Sequence, residues 1–483
     1  MEIETALNYI DGEYLESSTK DRFEVLNPAD NRVIGRAQLS SVQDTKDAID
    51  AIYERSDKID WAFDARKRAA ALLKLAEMMN KNKQQLAVTL CLETGKPLRD
   101  AEYEIDISVD YITYYAGLAR NVFGRSGSFN QTSYSIIARE PMGIVGHIVP
   151  WNFPLILLFR ALAASLAAGN VTIIKPASYT PLATYSIIKA TKNIEEFPRG
   201  TINFITGAGG TVGAEMVRSE KVNMIAFTGD NNTGREIMKL SSNSPKKVSL
   251  ELGGKSPNII FHDADIGKAV GKAVMGAFSM SGQSCSASSR VLVEKGIQKN
   301  VVGLIKERTE ALRVGNGLQP GTDVGPIISK NQMDRILQYI EIGRHDSRLV
   351  TGGKRIVKGD LDAGNFIEPT IFDDVPFNSR IAQEEIFGPV LSIIPFEGED
   401  EAVRIANSTK FGLDSAIWTN DIKRAFRVAR RIKAGTVWIN NYEKHPAEAE
   451  YGGYKWSGIG RQRGIEGILE FTQQKHIYID MEQ

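Results

Sequence analysis

The 483 residues balance 59 Lys and Arg against 59 Asp and Glu, are 42% hydrophobic and include two cysteines. This length fits about two to four domains of roughly 150 residues each. The zero net charge excludes a bulk field that gathers nucleic acid or anionic lipid, and two cysteines exclude a disulfide framework.

The N-terminal stretch "MEIETALNYIDGEYLES" is acidic and lacks a cationic start followed by an apolar run, so no signal peptide is expected and a cytoplasmic location is. Residues 60–120 keep apolar side chains at three-four spacing and predict helices, one of them closing at Gly95. In residues 121–141 turn formers come first, followed by "TSYSIIARE", a pattern of exposed strands. From 142 to 250 the runs "GIVGHIVP", "NVTIIKP", "TINFITG", "NMIAFTG" and "KVSLELG" alternate with helical segments such as "LILLFRALAASLAAG". Continuous apolar strands with intervening helices predict a parallel, doubly wound α/β sheet. The apolar segment 143–170 is interrupted by His147, Pro150, Asn152, Pro154 and Arg160, so buried core is expected there and not a membrane span. A second βα pattern, with "SPNIIF", "SRVLVEK", "LSIIPF" and "SAIWT", runs from 251 to 455, and the tail "LEFTQQKHIYID" ends in alternation suited to strand pairing.

Several stretches carry chemistry. "SGQSCSASSR" sets Cys285 among small polar residues, whereas Cys91 in "AVTLCLET" reads as core. In "TGAGGTVGAEM" Gly207, Gly209 and Gly213 approach a dinucleotide phosphate turn with one residue too many. "FTGDNNTGREIM" has Walker A spacing between Gly229 and Gly234, but Arg235-Glu236 stands where Lys-Ser/Thr is required, so no P-loop is expected. Glu251 ends an apolar strand before Gly253-Gly254, and two prolines fix the backbone around Trp151 and Asn152, whose amide could serve as a turn former or an oxyanion donor.

In order along the chain stand "PWNFP", "IIKP", "FTG", "ELGGK", "GQSC", "EEIFGPV" and "GGYKWSGIGR". Together they closely resemble the NAD(P)-dependent aldehyde dehydrogenase superfamily, most of all its hydrolytic, non-acylating betaine-aldehyde and semialdehyde groups. The resemblance implies a cofactor domain over residues 1–120 and 142–250, a catalytic domain over 251–455, and an oligomerisation element from 121–141 and 456–483. It implies a homodimer or homotetramer with an aldehyde as the small-molecule partner, and neither nucleic acid nor metal. Cys285 matches the nucleophile, Glu251 the general base and Asn152 the oxyanion donor of a reaction that passes through a thiohemiacetal and a thioester to a carboxylic acid. Lys175 matches the residue at the adenosine ribose, Glu385 that at the nicotinamide ribose, and Phe387 the wall beside it. Ile148, Pro150, Trp151, Gly209, Gly213, Phe227, Gly229, Asp230 and Leu252 fall along the same cofactor cleft, and the helix after Gly229 is expected to offer free N–H groups to pyrophosphate. A CoA-acylating enzyme is the alternative, opposed by Glu251, and a non-catalytic relative is opposed by the retained Cys285, Glu251 and Asn152.

Four departures qualify this picture. Asp230 stands where many relatives carry Ser, and is expected to turn to solvent or pair with Arg235. Arg160 lies on the substrate-tunnel helix, where it could bind a carboxylate or hydroxyl tail, as on a semialdehyde or small hydroxyaldehyde, or pair internally. Ala161 and Gln462 replace both members of an ion pair that relatives keep behind the general base, so another proton exit from Glu251 is expected. Ser178 replaces the Glu of NAD-preferring relatives, which predicts that NADP is favoured, with NAD second.

Overall fold

The five apolar runs between 142 and 250 become Ile144–Ile148, Val171–Lys175, Ile202–Phe204, Met224–Thr228 and Lys247–Glu251, all paired in parallel. The computed structural model describes residues 4–482; residues 1–3 of the N-terminal stretch, and the outermost positions of the expected domain ranges, lie outside it. Val171–Lys175 is buried along its whole length, as a strand covered on both faces must be. These strands form the centre of an eight-stranded sheet. One edge is completed by Gly458–Ile459, antiparallel to Lys247–Glu251, and the other by Asn8–Ile10 and Glu13–Leu15.

Ile144–Ile148 is the strand where the order reverses: the chain first adds Val171–Lys175 and Ile202–Phe204 on one side, then Met224–Thr228 and Lys247–Glu251 on the other. In doubly wound sheets the crevice beyond such a switch point receives the ligand. The helix that leaves this strand, Pro154–Ala168, is buried at all but one position. Its Leu and Ala residues favour helix, Pro154 occupies the first turn, and Gly169 closes it at φ 99°, a left-handed conformation that suits glycine.

A second, seven-stranded sheet runs in the order Arg348–Thr351, Thr370–Asp373, Val390–Phe396, Arg290–Glu294, Pro257–Ile260, Asp414–Trp418, Thr436–Ile439. Only its first pair is antiparallel. The 60–120 helices resolve into Asp60–Ala62, Ala65–Lys81, Lys83–Thr94 and Leu98–Leu118, with Gly95 ending the third at φ 79°. The tail strand Thr472–Asp480 pairs over its full length with Ser133–Pro141, which in turn pairs with Arg125–Ser128. Among the described residues no helix is long and apolar enough to cross a membrane.

Candidate active site

Cys285 sits in the turn between helix Ile266–Phe278 and strand Arg290–Glu294. The turn begins with three consecutive left-handed residues, Met280, Ser281 and Gly282, at φ 52°, 58° and 68°. A Cβ on Gly282 would overlap the Gly388 carbonyl oxygen, so the glycine of "GQSC" serves both conformation and space. Hydrogen bonds hold the two non-glycine residues in place: Ser281 Oγ donates to Gly325 O (2.7 Å), and Gln283 Nε2 donates to Met280 O (3.1 Å). Gln283 Oε1 accepts from Ile328 N (3.0 Å), which fixes the turn against the 325–328 segment.

The cysteine opens onto a cavity of about 820 Å³ at the switch point. Asn152, from the loop after Ile148, reaches the same cavity, and its Nδ2 donates to Gln283 O at 3.0 Å. Leu252 also lines it, while Glu251 lies just behind, 2% exposed. Burial pushes the Glu251 carboxyl up to about 7, against the pull of Arg160, Arg461 and Arg463. Burial likewise pushes the Cys285 thiol up to about 12, and Arg160 is the neighbour that most favours its thiolate.

Arg160 is drawn to Glu251. Its Nη2 lies 3.7 Å from Glu251 Oε2, its Nε donates to Gln462 Oε1 at 2.5 Å, and the guanidinium stacks 5.0 Å from the Tyr451 ring centre. Arg463 covers the same ring at 4.4 Å, and Tyr451 donates to Asp414 Oδ2 at 2.8 Å. Gln462, read from sequence as half of a missing ion pair, is thus the hydrogen-bond partner of Arg160. Tyr451, Arg463 and Asp414 escaped sequence reading, since an aromatic and two charges beside a loop carry no distinguishing pattern.

The rest of the cavity suits an extended dinucleotide. Lys175, Ser178 and Gly209 line one end, and a side chain on Gly209 would meet nothing within 4 Å, so the backbone there is open to close approach. Ile148, Pro150, Trp151, Phe227, Gly229 and Asp230 continue the wall. Glu385 and Phe387 close it near Cys285. Glu385 Oε1 accepts from Gly254 N at 3.0 Å, and Phe387, held at φ 59°, meets the Trp151 ring edge-on at 5.3 Å. Gly213 lies behind Lys175 instead of on the wall.

Asp230 is exposed, as one expectation had it, and does not pair with Arg235. Its carboxylate caps helix Asn231–Ser241, accepting from Asn232 N (2.9 Å), Thr233 N (3.1 Å) and Thr233 Oγ1 (2.5 Å). Asp at this position is a strong N-cap, so it satisfies amides that were expected to be free for pyrophosphate. Arg235 turns instead toward Trp456, 5.9 Å from its ring.

The profile of the aldehyde dehydrogenase family matches residues 14–477. The betaine aldehyde dehydrogenase of Bacillus subtilis (strain 168) is 40% identical over 97% of this chain and 96% of its own. An aldehyde dehydrogenase of Emericella nidulans is 39% identical over 97% and 94%. A crystal structure of betaine aldehyde dehydrogenase from Staphylococcus aureus in complex with NAD+ superposes with a TM-score of 0.97 at 37% identity, covering 99% of this chain and 95% of that one. Another from the same organism, with the same TM-score and identity, holds NAD+ beside a BME-modified cysteine. These complexes overturn the NADP preference drawn from Ser178. The local geometry shows where the reading of Ser178 fails: its single hydroxyl donor goes to Gly207 O (3.4 Å), while Lys175 Nζ places one of its three protons on Pro176 O (2.9 Å).

Proposed function

The chain belongs to the aldehyde dehydrogenase family, which oxidises an aldehyde to the carboxylic acid with NAD+ and a catalytic cysteine, and from that premise we propose that Cys285 is its nucleophile, Asn152 its oxyanion donor and Glu251 its general base. The supporting observation is that Cys285 and Asn152 share one cavity while Glu251, buried to a carboxyl near 7, lies directly behind it. NAD+, held along Lys175, Phe227 and Glu385, supplies the hydride acceptor. The protein's own tasks are then distinct. Cys285 Sγ, its proton released to solvent, bonds to the aldehyde carbon, and the Asn152 amide donates to the oxygen as charge gathers on it; one such donor is worth about 3 kcal/mol. Glu251 takes a proton from the water that cleaves the thioester, a role suited to a carboxyl that titrates near neutrality. Arg160 holds that carboxylate from 3.7 Å.

We further propose that the substrate carries a neutral or anionic tail, as a small hydroxyaldehyde or a semialdehyde does. The observation behind this is Arg160, buried with Nη2 lacking a hydrogen-bond partner and acting electrostatically on Cys285. The Bacillus subtilis and Staphylococcus aureus relatives are named for betaine aldehyde, a cation. A cationic tail beside the Arg160 guanidinium meets like charge and is disfavoured there. A panel of hydroxyaldehydes, semialdehydes and betaine aldehyde, run with NAD+, is expected to rank betaine aldehyde last; betaine aldehyde as the best substrate would overturn this assignment. The remaining assignments are a cytoplasmic homodimer or homotetramer and the three-part division at 121–141, 251 and 456. The exposed edge strand Thr472–Asp480 supports pairing between subunits, and a monomer in sedimentation would contradict it.

A further inference from the structure

Two charged residues far from the reacting atoms meet behind the Asn152 loop. Lys96 follows the left-handed Gly95 that ends helix Lys83–Thr94, and Glu104 lies on helix Leu98–Leu118. Their side chains are wholly buried and form an ion pair. Each then reaches a different part of the "PWNFP" segment. Lys96 Nζ donates to the backbone carbonyl of Asn152 at 3.0 Å and lies 4.6 Å from the centre of the Phe153 ring. Glu104 Oε1 accepts from Leu155 N (2.8 Å) and Ile156 N (3.2 Å).

The need for this arrangement can be read from the sequence of the segment. Helix Pro154–Ala168 starts without a side-chain cap, because Phe153 occupies the N-cap position. Pro154 has no N–H, and the next two amides would be orphaned in the core. Glu104 supplies from another helix the acceptor that Ser or Asp would supply locally. Glu93 does the same for helix Leu182–Thr191, accepting from Leu182 N (2.8 Å) and Ala183 N (3.1 Å), but no lysine ties it to a catalytic loop. A cap alone therefore needs only the carboxylate. The ammonium adds something else: a fixed hold on the one peptide carbonyl whose residue sends its amide toward Cys285.

We propose that Lys96 is a positioning residue for the oxyanion donor, holding the Asn152 backbone so that Nδ2 meets the developing charge, while Glu104 fixes both Lys96 and the first turn of the following helix. The same joint also braces the cysteine turn. A side chain on Gly95 would overlap Pro326, Leu98 N donates to Gly317 O (3.0 Å), and the 325–328 backbone in turn holds Ser281 and Gln283. One buried ion pair thus sets the donor against the nucleophile. Displacement of a catalytic group by about 1 Å can cost about 100-fold.

This inference rests on Asn152 as the oxyanion donor, and the test separates the two. The rate of the first-turnover burst of reduced nicotinamide is measured by stopped flow, alongside NAD+ affinity and thermal unfolding. The Lys96→Met/Glu104→Gln double variant removes both charges and keeps an acceptor for Leu155 and Ile156. Its burst is expected to slow at least about tenfold, with NAD+ affinity changed less than about twofold. Lys96→Arg keeps the ion pair, and so the fold, but replaces the single ammonium contact with a planar fork; it is expected to slow the burst at unchanged unfolding temperature. Placed on Asn152→Ala, the same changes should cost almost nothing more. An unchanged burst in both Lys96 variants, or an equal loss with and without the Asn152 side chain, overturns the positioning role alone. A normal burst in Asn152→Ala overturns the donor assignment and this inference with it.

Discussion

The balance at Glu251 is set by one atom pair. Burial raises its carboxyl to about 7, and Arg160, 3.7 Å away, is the strongest charge opposing that rise. Removing the guanidinium takes away the largest of the charges opposing the desolvation and leaves only Arg461 and Arg463 against it, so the carboxylate becomes harder to form. The acid limb of thioester hydrolysis should therefore move upward in Arg160→Met, by about one pH unit; a limb that stays in place, measured as the pH profile of steady-state kcat, would remove Arg160 from this role. Glu251→Gln completes the pair. It should release one burst of reduced nicotinamide and then stall, because hydride transfer precedes the proton abstraction it disables. Steady turnover in that variant counts against Glu251. The residue types at this site were legible because the residues proposed as nucleophile, base and donor each sit in an ordered motif. The cofactor preference was misread because the single donor of Ser178 goes to a backbone carbonyl, which sequence does not reveal.

At the level of elements, the cysteine turn is the costliest piece of backbone around the site. Met280 and Ser281 adopt left-handed conformations without being glycine, and Gly282 follows at φ 68° against the Gly388 carbonyl. Gly282→Ala combines a disfavoured conformation with overlap onto backbone. It is expected to lose about 3 kcal/mol of stability and most of the activity; a denaturant midpoint within error of the parent would show that the turn relaxes freely. The strand that follows it, Arg290–Glu294, was legible as the run "SRVLVEK". Arg348–Thr351 and Thr370–Asp373 were not, since "RLVT" and "TIFD" each hold only two apolar residues between polar ends. Glu104 left a fainter mark: it occupies a core position among Ala101, Ile105 and Ser108, where an unpaired charge would be costly. Its partner Lys96, beyond a helix end, looks like any solvated lysine.

Across the whole molecule, the setting of the proposed general base joins stretches far apart in the chain. Leu252 N donates to Ser457 O (2.9 Å), Ser457 Oγ donates to Gly253 O (2.7 Å), and Gly458–Ile459 pairs with Leu250 and Glu251. Gln462 then completes the setting of Arg160. The doubly wound core was legible because its strands follow one another closely. This closing segment was not, since two residues of strand carry no pattern and their partner lies 204 positions earlier for Ser457 and Gly253. Synthesis runs from the N-terminus at about 5–20 residues per second, so roughly 10–40 s pass between the emergence of Glu251 and of its last neighbours. Cys285 and the NAD+ crevice therefore emerge while the base still lacks its partners. Chains arrested on the ribosome short of Ser457 should show no sustained aldehyde turnover, and turnover should appear only when translation has passed Gln462. A nascent chain thus holds its reactive thiol without a working hydrolytic half, and becomes an enzyme only in the last moments of its own manufacture.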